Sequence, residues 1–212
     1  MPQSATTQQD GDHRGSERVQ RRRDRRRAQI LAQATRVLIA HGYQGLHLED
    51  VAERADIAKA TLYHYYPSKD ALVAAALNNI FDQVMARLRH RLETTTSTSA
   101  QSLLRELIAE QLLISTEADT QDVAVFFYPS TWPATFEEDI RAKRREHDAL
   151  IRAVAQRGMD NGEFTCPDLA VAMHCLHGVL NQAPLWVRPT WPHDQRQTAR
   201  DQVANSAMRL FL

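Results

Sequence analysis

From Lys59 to Lys69 the chain gathers Lys59, Thr61, Tyr63, His64, Tyr65 and Lys69 with little acid among them. Hydroxyls, ammonium groups and an imidazole in that density suit reversible hydrogen bonding to anionic oxygens and flat polar edges rather than bond making. Nothing around them has the form of a glycine phosphate loop, a nucleophile elbow or a paired metal-ligand motif. A run of arginines, Arg21-Arg22-Arg23 and Arg25-Arg26-Arg27 around Asp24, precedes them. Two readings of that run stand: the solvated start of a helix, or an arm that binds phosphates and releases their counterions.

The spacing around these residues predicts what holds them. Leu48, Val51, Ala52 and Ala55 recur at helical intervals, which predicts a short helix. Asp56 then suits a tight turn, because a short polar side chain tolerates left-handed backbone. A second short helix, Lys59 to Tyr66, has Leu62 as its inward anchor, and Pro67 stops it. Ser68 caps a third helix that starts at Lys69-Asp70. Two short helices across a tight turn form the unit that lays its second helix in a DNA major groove.

The run A-E-R-A-D-I-A-K-A-T-L-Y-H-Y-Y-P-S-K-D-A-L resembles the DNA-binding signature of the TetR family of bacterial transcriptional regulators, over Arg26 to Leu72. The resemblance implies a homodimer on a palindromic double-stranded operator, most often a repressor released by a small hydrophobic effector. It implies DNA-facing roles for Arg25, Arg26, Glu49, Lys59, Ala60, Thr61, Tyr63, His64, Tyr65 and Lys69. Among these, Thr61, Tyr63, Tyr65 and Lys69 are expected on phosphates, and Lys59, His64 and Glu49 on base edges. With that motif downstream, the arginine run is read as the phosphate-binding arm. The chain departs from the family pattern at His47, Asp56, Ala58 and Ala60, so no relative's operator sequence carries over.

Composition agrees with an all-α chain: seven glycines among 212 residues, with Ala, Leu, Arg and Gln abundant. Net charge is zero but uneven. Residues 1–91 hold 15 Lys+Arg against 10 Asp+Glu and residues 92–212 hold 11 against 16, so the excess is +5 in one part and −5 in the other. No apolar run approaches the ~20 residues of a membrane span. Two cysteines, Cys166 and Cys175, offer no disulfide framework, and a cytoplasmic protein without cofactor is expected.

The expected organisation is a disordered tail over 1–20, a three-helix helix-turn-helix domain over 21–69, and a helical ligand-binding and dimerisation domain over 70–212. The first helix is predicted from Asp24 to His41 with Gly42 closing it, and the fourth from Lys69 to about Leu92 as a lever between the two domains. After a Thr/Ser linker at 94–99, helices are predicted near 103–116, 122–130, 135–161, 168–187 and 194–210. The helix near 168–187 is apolar on most of its circumference, which suggests burial on two sides.

Within it His174, His177 and Asn181 make a polar stripe. A metal site that adds Cys175 or His147, satisfied polar groups of a core or interface, and the polar wall of a ligand pocket are the three readings; no second ligand pair has metal spacing, and no metal is assigned. Phe126, Phe127 and Trp132 are candidates for an aromatic lining around Pro129 and Pro133. G-V-L-N-Q-A-P-L-W-V-R-P at Gly178–Pro189, preceded by G-M-D-N-G-E-F at Gly158–Phe164, is similar to a TetR branch that binds acyl-coenzyme A thioesters. That resemblance adds Trp186 and Arg188 as ligand candidates. The rival class is an acyl-CoA-like binding protein or enzyme with an incidental helix-turn-helix.

Overall fold

A computed structural model describes residues 7–117 and 133–212, with side chains from residue 17 onward. Among these residues the chain is all-helical: α1 (Thr7–Gly45), α2 (Leu48–Arg54), α3 (Lys59–Tyr65), α4 (Lys69–Thr94), α5 (Ala100–Thr116), α6 (Ala134–Asp160), α7 (Leu169–Trp186) and α8 (His193–Met208). The helix expected near 122–130 lies outside the described residues. Two compact units divide the chain at Ala76/Leu77, a point inside α4.

In the first unit, Ile30, Ala34, Val37 and Leu38 form the buried stripe of α1, and Val51, Leu62 and Leu72 bring α2, α3 and the start of α4 into the same interior. The sequence predicts disorder through residue 20 and a helix only from Asp24; the structure instead carries α1 back to Thr7. Over Glu17 to Asp24, pairs four residues apart support that extension. Arg21 Nη2 lies 2.9 Å from Glu17 Oε2, and Gln20 Nε2 donates to Asp24 Oδ1 at 2.9 Å. Low hydrophobicity, the ground for expecting disorder, does not prevent a helix that has such pairs. Gly42, at φ 66° and ψ −179°, breaks the helical run where the sequence places its end.

The second unit is built around α5, which packs against α6, α7 and α8. Leu104, Leu107, Ile108 and Leu112 of α5 are fully buried, and Ile80, Val84 and Leu88 of α4 join the same core. Each such side chain contributes roughly 1.5–3 kcal/mol on leaving water. The turn after α6 is a tight structural corner. At Gly158 an added Cβ would lie 2.1 Å from the Phe164 ring, and Gly162 takes φ 71°. Phe164 fills the space so made and packs at a tilt against Phe211, with ring centroids 5.6 Å apart. The G-M-D-N-G-E-F run is thus explained by backbone and packing.

Along α7, Met173, Leu176 and Leu180 are buried, but Val171 and Leu185 are 58% and 57% exposed, so burial in the single chain is one-sided. No described helix is long and apolar enough to cross a membrane.

Candidate nucleic-acid interface and ligand cavity

The exposed face of α3 follows from its two ends and its anchor. Asp56 adopts φ 51°, the left-handed turn that its side chain tolerates, and Leu62 is completely buried. With Leu62 inward, Lys59, Ala60, Thr61, Tyr63 and His64 face solvent and Tyr65 is half-buried. Tyr63 is 43% exposed, more than a packing aromatic would be. Neither short helix has a side-chain cap: His47 and Ala58 occupy the N-cap positions without a capping hydrogen bond. α3 is held instead by Tyr66 at its end, which is buried and accepts from Arg27 Nε at 3.1 Å beneath the same guanidinium. Sequence reading passed over Tyr66, since only folding sets it against α1.

Several expected DNA contacts already have partners. Lys59 Nζ donates to Glu49 Oε1, which raises the lysine's pKa and lowers the carboxylate's, and the same ammonium lies over the Tyr63 ring at 5.8 Å. Lys69 Nζ donates to the Gln44 carbonyl at 3.3 Å and sits 4.5 Å over the Tyr43 ring. Arg26 donates to the Ala55 carbonyl at 3.5 Å, whereas Arg25 is exposed and shares a cleft with Arg18, Arg21 and Arg22. A groove of about 630 Å³ joins Arg22, Arg23 and Arg26 of α1 to Thr61, His64 and Tyr65. The basic run and the recognition face therefore belong to one surface.

In the second unit a cavity of about 470 Å³ opens between α6 and α7. It brings together four residues that the sequence singled out: His147, His174, His177 and Asn181. Trp186 and Arg188 are exposed and do not line it, while Phe126, Phe127 and Trp132 lie outside the described residues. Arg141, Arg144, Arg145, Asp148 and Arg152 also line it. The sequence offers Lys143-Arg144-Arg145 as a source of charge for a ligand, beside the more ordinary reading as a solvated helix face; it does not single out Arg141, Asp148 or Arg152. Arg141, Arg145, Asp148 and Arg152 stand at i, i+4, i+7 and i+11, one helical stripe that polarity alone does not tell from a solvated face. Their neighbour Lys143 points elsewhere, over the Phe81 ring at 4.5 Å.

The cavity's polar groups are connected. His177 Nε2 lies 2.8 Å from Asp148 Oδ1, and Arg152 Nε donates to Asp148 Oδ2 at 2.9 Å. These donors hold the Asp148 carboxyl below its ordinary pKa against the opposing effect of burial. His147 is buried, with Nε2 2.9 Å from Gln111 Oε1; burial, joined by the nearby His177 and opposed by Asp148, lowers its pKa to about 4. A neutral imidazole, an amide and a ring of guanidinium groups can bind and orient a polar ligand. Among the described residues no group of three His, Cys, Asp or Glu side chains is placed to hold a metal.

A helix-turn-helix unit followed by a cavity-bearing helical unit defines the class of protein. The chain belongs to the tetR family of bacterial regulatory proteins: residues 30–76 match the family model of that description, and residues 97–211 match the tetracyclin repressor-like C-terminal domain. It is 36% identical over 74 residues to the HTH-type transcriptional activator FasR of Mycolicibacterium smegmatis, a match covering 35% of this chain and 34% of that one. It is 41% identical over 62 residues to the HTH-type transcriptional repressor KstR of the same organism, covering 29% and 30% of the two chains. These matches thus span about a third of the relatives' length. In fold, the crystal structure of AibR in complex with isovaleryl coenzyme A and operator DNA is similar with a TM-score of 0.73, at 19% identity over 88% of this chain and 97% of that one.

Proposed function

We propose that this chain is a sequence-specific DNA-binding transcriptional regulator, a homodimeric repressor released from a palindromic operator by a small effector in the α6–α7 cavity. The observation that carries this reading is the exposed face of α3, with Lys59, Thr61, Tyr63 and His64 outward over a fully buried Leu62 and beside the arginine groove of α1. Hydroxyls and cations there position the helix on phosphates, and Lys59 and His64 read base edges. In a dimer the two recognition helices enter successive major grooves about 34–36 Å apart. Val171, Leu185 and Trp186, exposed on α7, supply apolar surface for a second copy.

The role is regulatory rather than catalytic. Repression as the sign of control is supported by the resemblance to KstR, and an acyl-coenzyme A thioester as the effector class by the fold shared with AibR, whose crystal contains isovaleryl coenzyme A. α4 is common to both units, so a change in its position on ligand binding alters the DNA affinity of the first, and linkage makes the effect reciprocal. The test is a gel shift with duplexes flanking the protein's own gene. Binding that weakens linearly in log salt, prefers one palindrome and is reversed by isovaleryl coenzyme A supports the reading; a monomer indifferent to every duplex at low salt overturns it.

A further inference from the structure

The cavity carries an excess of positive charge on one wall. Arg141, Arg144, Arg145 and Arg152 line it, and Asp148 is the one carboxylate among its described lining. Asp148 is already engaged by Arg152 and His177. The α7 wall opposite, His174, His177 and Asn181, brings no acid. What balances Arg141 and Arg145 comes from outside the lining, earlier on α6: chiefly Glu138, with Glu137 Oε2 a looser 3.7 Å from Arg141 Nη2. Arg141 Nη1 donates to Glu138 Oε2 and Arg145 Nη2 to Glu138 Oε1, each at 2.9 Å. One carboxylate is therefore held between two guanidinium groups, which lower its pKa, chiefly through the Arg145 hydrogen bond.

That carboxylate is 68% exposed, and ion pairs so well solvated contribute little. An anion of like geometry that also fills the cavity gains burial that Glu138 lacks, while it keeps the charge-assisted hydrogen bonds that guanidinium forks form with planar or tetrahedral oxyanions. We propose that Arg141 and Arg145 form the oxyanion subsite of this cavity, where a ligand's carboxylate or phosphate displaces the resident Glu138 side chain. This rests on the reading of the cavity as the effector site. It adds the class of ligand, one with an anionic group at the end of a neutral body, and a built-in competitor that sets its affinity. Neutral His147 and Asn181 face the part of the ligand that carries no charge.

Calorimetry on the full-length chain tests it with four probes: isovaleryl coenzyme A, coenzyme A, isovalerate and inorganic pyrophosphate. Whichever binds the wild type identifies the source of the oxyanion, isovalerate for a carboxylate and the others for phosphate. For that probe, Arg145→Ala and Arg141→Ala each weaken binding about tenfold, Arg145→Lys restores part of it, and Glu138→Gln tightens it severalfold. Arg209→Ala, an exposed side chain outside the cavity, leaves affinity unchanged. All four α6 substitutions, at three positions, fall on exposed side chains, so melting temperature is expected to hold and reports that the fold is intact. A probe that binds the wild type but is indifferent to Arg141, Arg145 and Glu138, or weakened by Glu138→Gln, overturns the subsite alone. If no probe binds, the cavity reading falls and the subsite with it.

Discussion

His147 places Nε2 2.9 Å from Gln111 Oε1, a buried pair linking α6 to α5 beside the cavity. With the amide oxygen facing the ring, Nε2 carries the proton and donates, and the imidazole is neutral.

The neutral state has a pH signature. The unfolded histidine titrates near 6.5 and the folded one at about 4, so between those values the unfolded chain binds the proton first. Stability from this group is fully present above pH 6.5 and is lost as pH falls towards 4, by roughly 3 kcal/mol. Chemical denaturation of wild type and His147→Gln from pH 7.5 to 4.5 checks this. The wild type is expected to lose stability more steeply, and parallel curves refute the assignment.

Glu163 holds the start of α5 from 62 to 64 residues away. Its Oε2 accepts from the Ser99 hydroxyl at 2.7 Å and from Gln101 N–H at 3.1 Å, and its Oε1 accepts from Ala100 N–H at 3.1 Å. Those donors, led by Ser99, lower its pKa to about 2. Because the folded pKa lies below the unfolded one, this stabilisation is present above about pH 4.5 and disappears as pH falls towards 2. Glu163→Ala should lower the melting temperature at pH 7 and make little difference at pH 2.5. At the same corner Gly158→Ala drives a methyl into Phe164 and should cost about 1–3 kcal/mol.

Glu110 on α5 is almost completely buried between Arg87 and Arg91 of α4, accepting from Arg87 Nε at 2.7 Å and from Arg91 Nη2 at 2.8 Å. The two arginines keep access to water, so the partners are unequal. Arg87→Met with Arg91→Met strands a buried carboxylate and should cost about 3–5 kcal/mol, whereas Glu110→Gln, which leaves half-solvated cations, should cost less. Urea unfolding of both variants gives the order, and the reverse order contradicts it.

Local features were legible in the sequence because their causes are local. Leu62 as anchor, Asp56 as the turn, Pro67 as the stop and the buried series Leu72, Ala76, Ile80, Val84 and Leu88 each depend on a few neighbouring residues. His174, His177 and Asn181 stood out as a polar stripe on an otherwise apolar helix, with His147 as a possible addition, and the fold does collect the four. Of the α6 cations, only Lys143-Arg144-Arg145 stood out as ligand charge, and a solvated face was the favoured reading, because α6 is charged nearly all round and only the position of α7 decides which side is a cavity wall. Lys143 and Arg145 look alike in the chain, yet one covers Phe81 and the other lines the cavity. Tyr66 and Glu163 act on partners 39 and more than 60 residues away, which periodicity does not encode. The start of α1 was misplaced because a polar composition was read as disorder.

On the first unit, affinity for DNA and reading of its sequence fall to different residues. Arg25 is exposed on the α1 extension and Lys59 is exposed on α3, but Lys59 is paired with Glu49. If Arg25 meets phosphate, Arg25→Ala should weaken binding to every duplex alike and reduce the slope of log affinity against log salt by about 0.9, since one fewer counterion is released. Glu49→Ala should act in the opposite sense. It frees the Lys59 ammonium and removes a carboxylate that phosphates repel, so binding to arbitrary duplex tightens and the salt slope steepens. If Glu49 also accepts from a cytosine amino group, the preferred palindrome gains less than arbitrary sequence does, and discrimination between them narrows by about 1–3 kcal/mol. Fluorescence anisotropy with the selected palindrome and a scrambled duplex, each from 50 to 200 mM salt, measures all of these together. A uniform loss of affinity in Glu49→Ala would show instead that the Glu49–Lys59 pair orients Lys59 for DNA rather than withholding it.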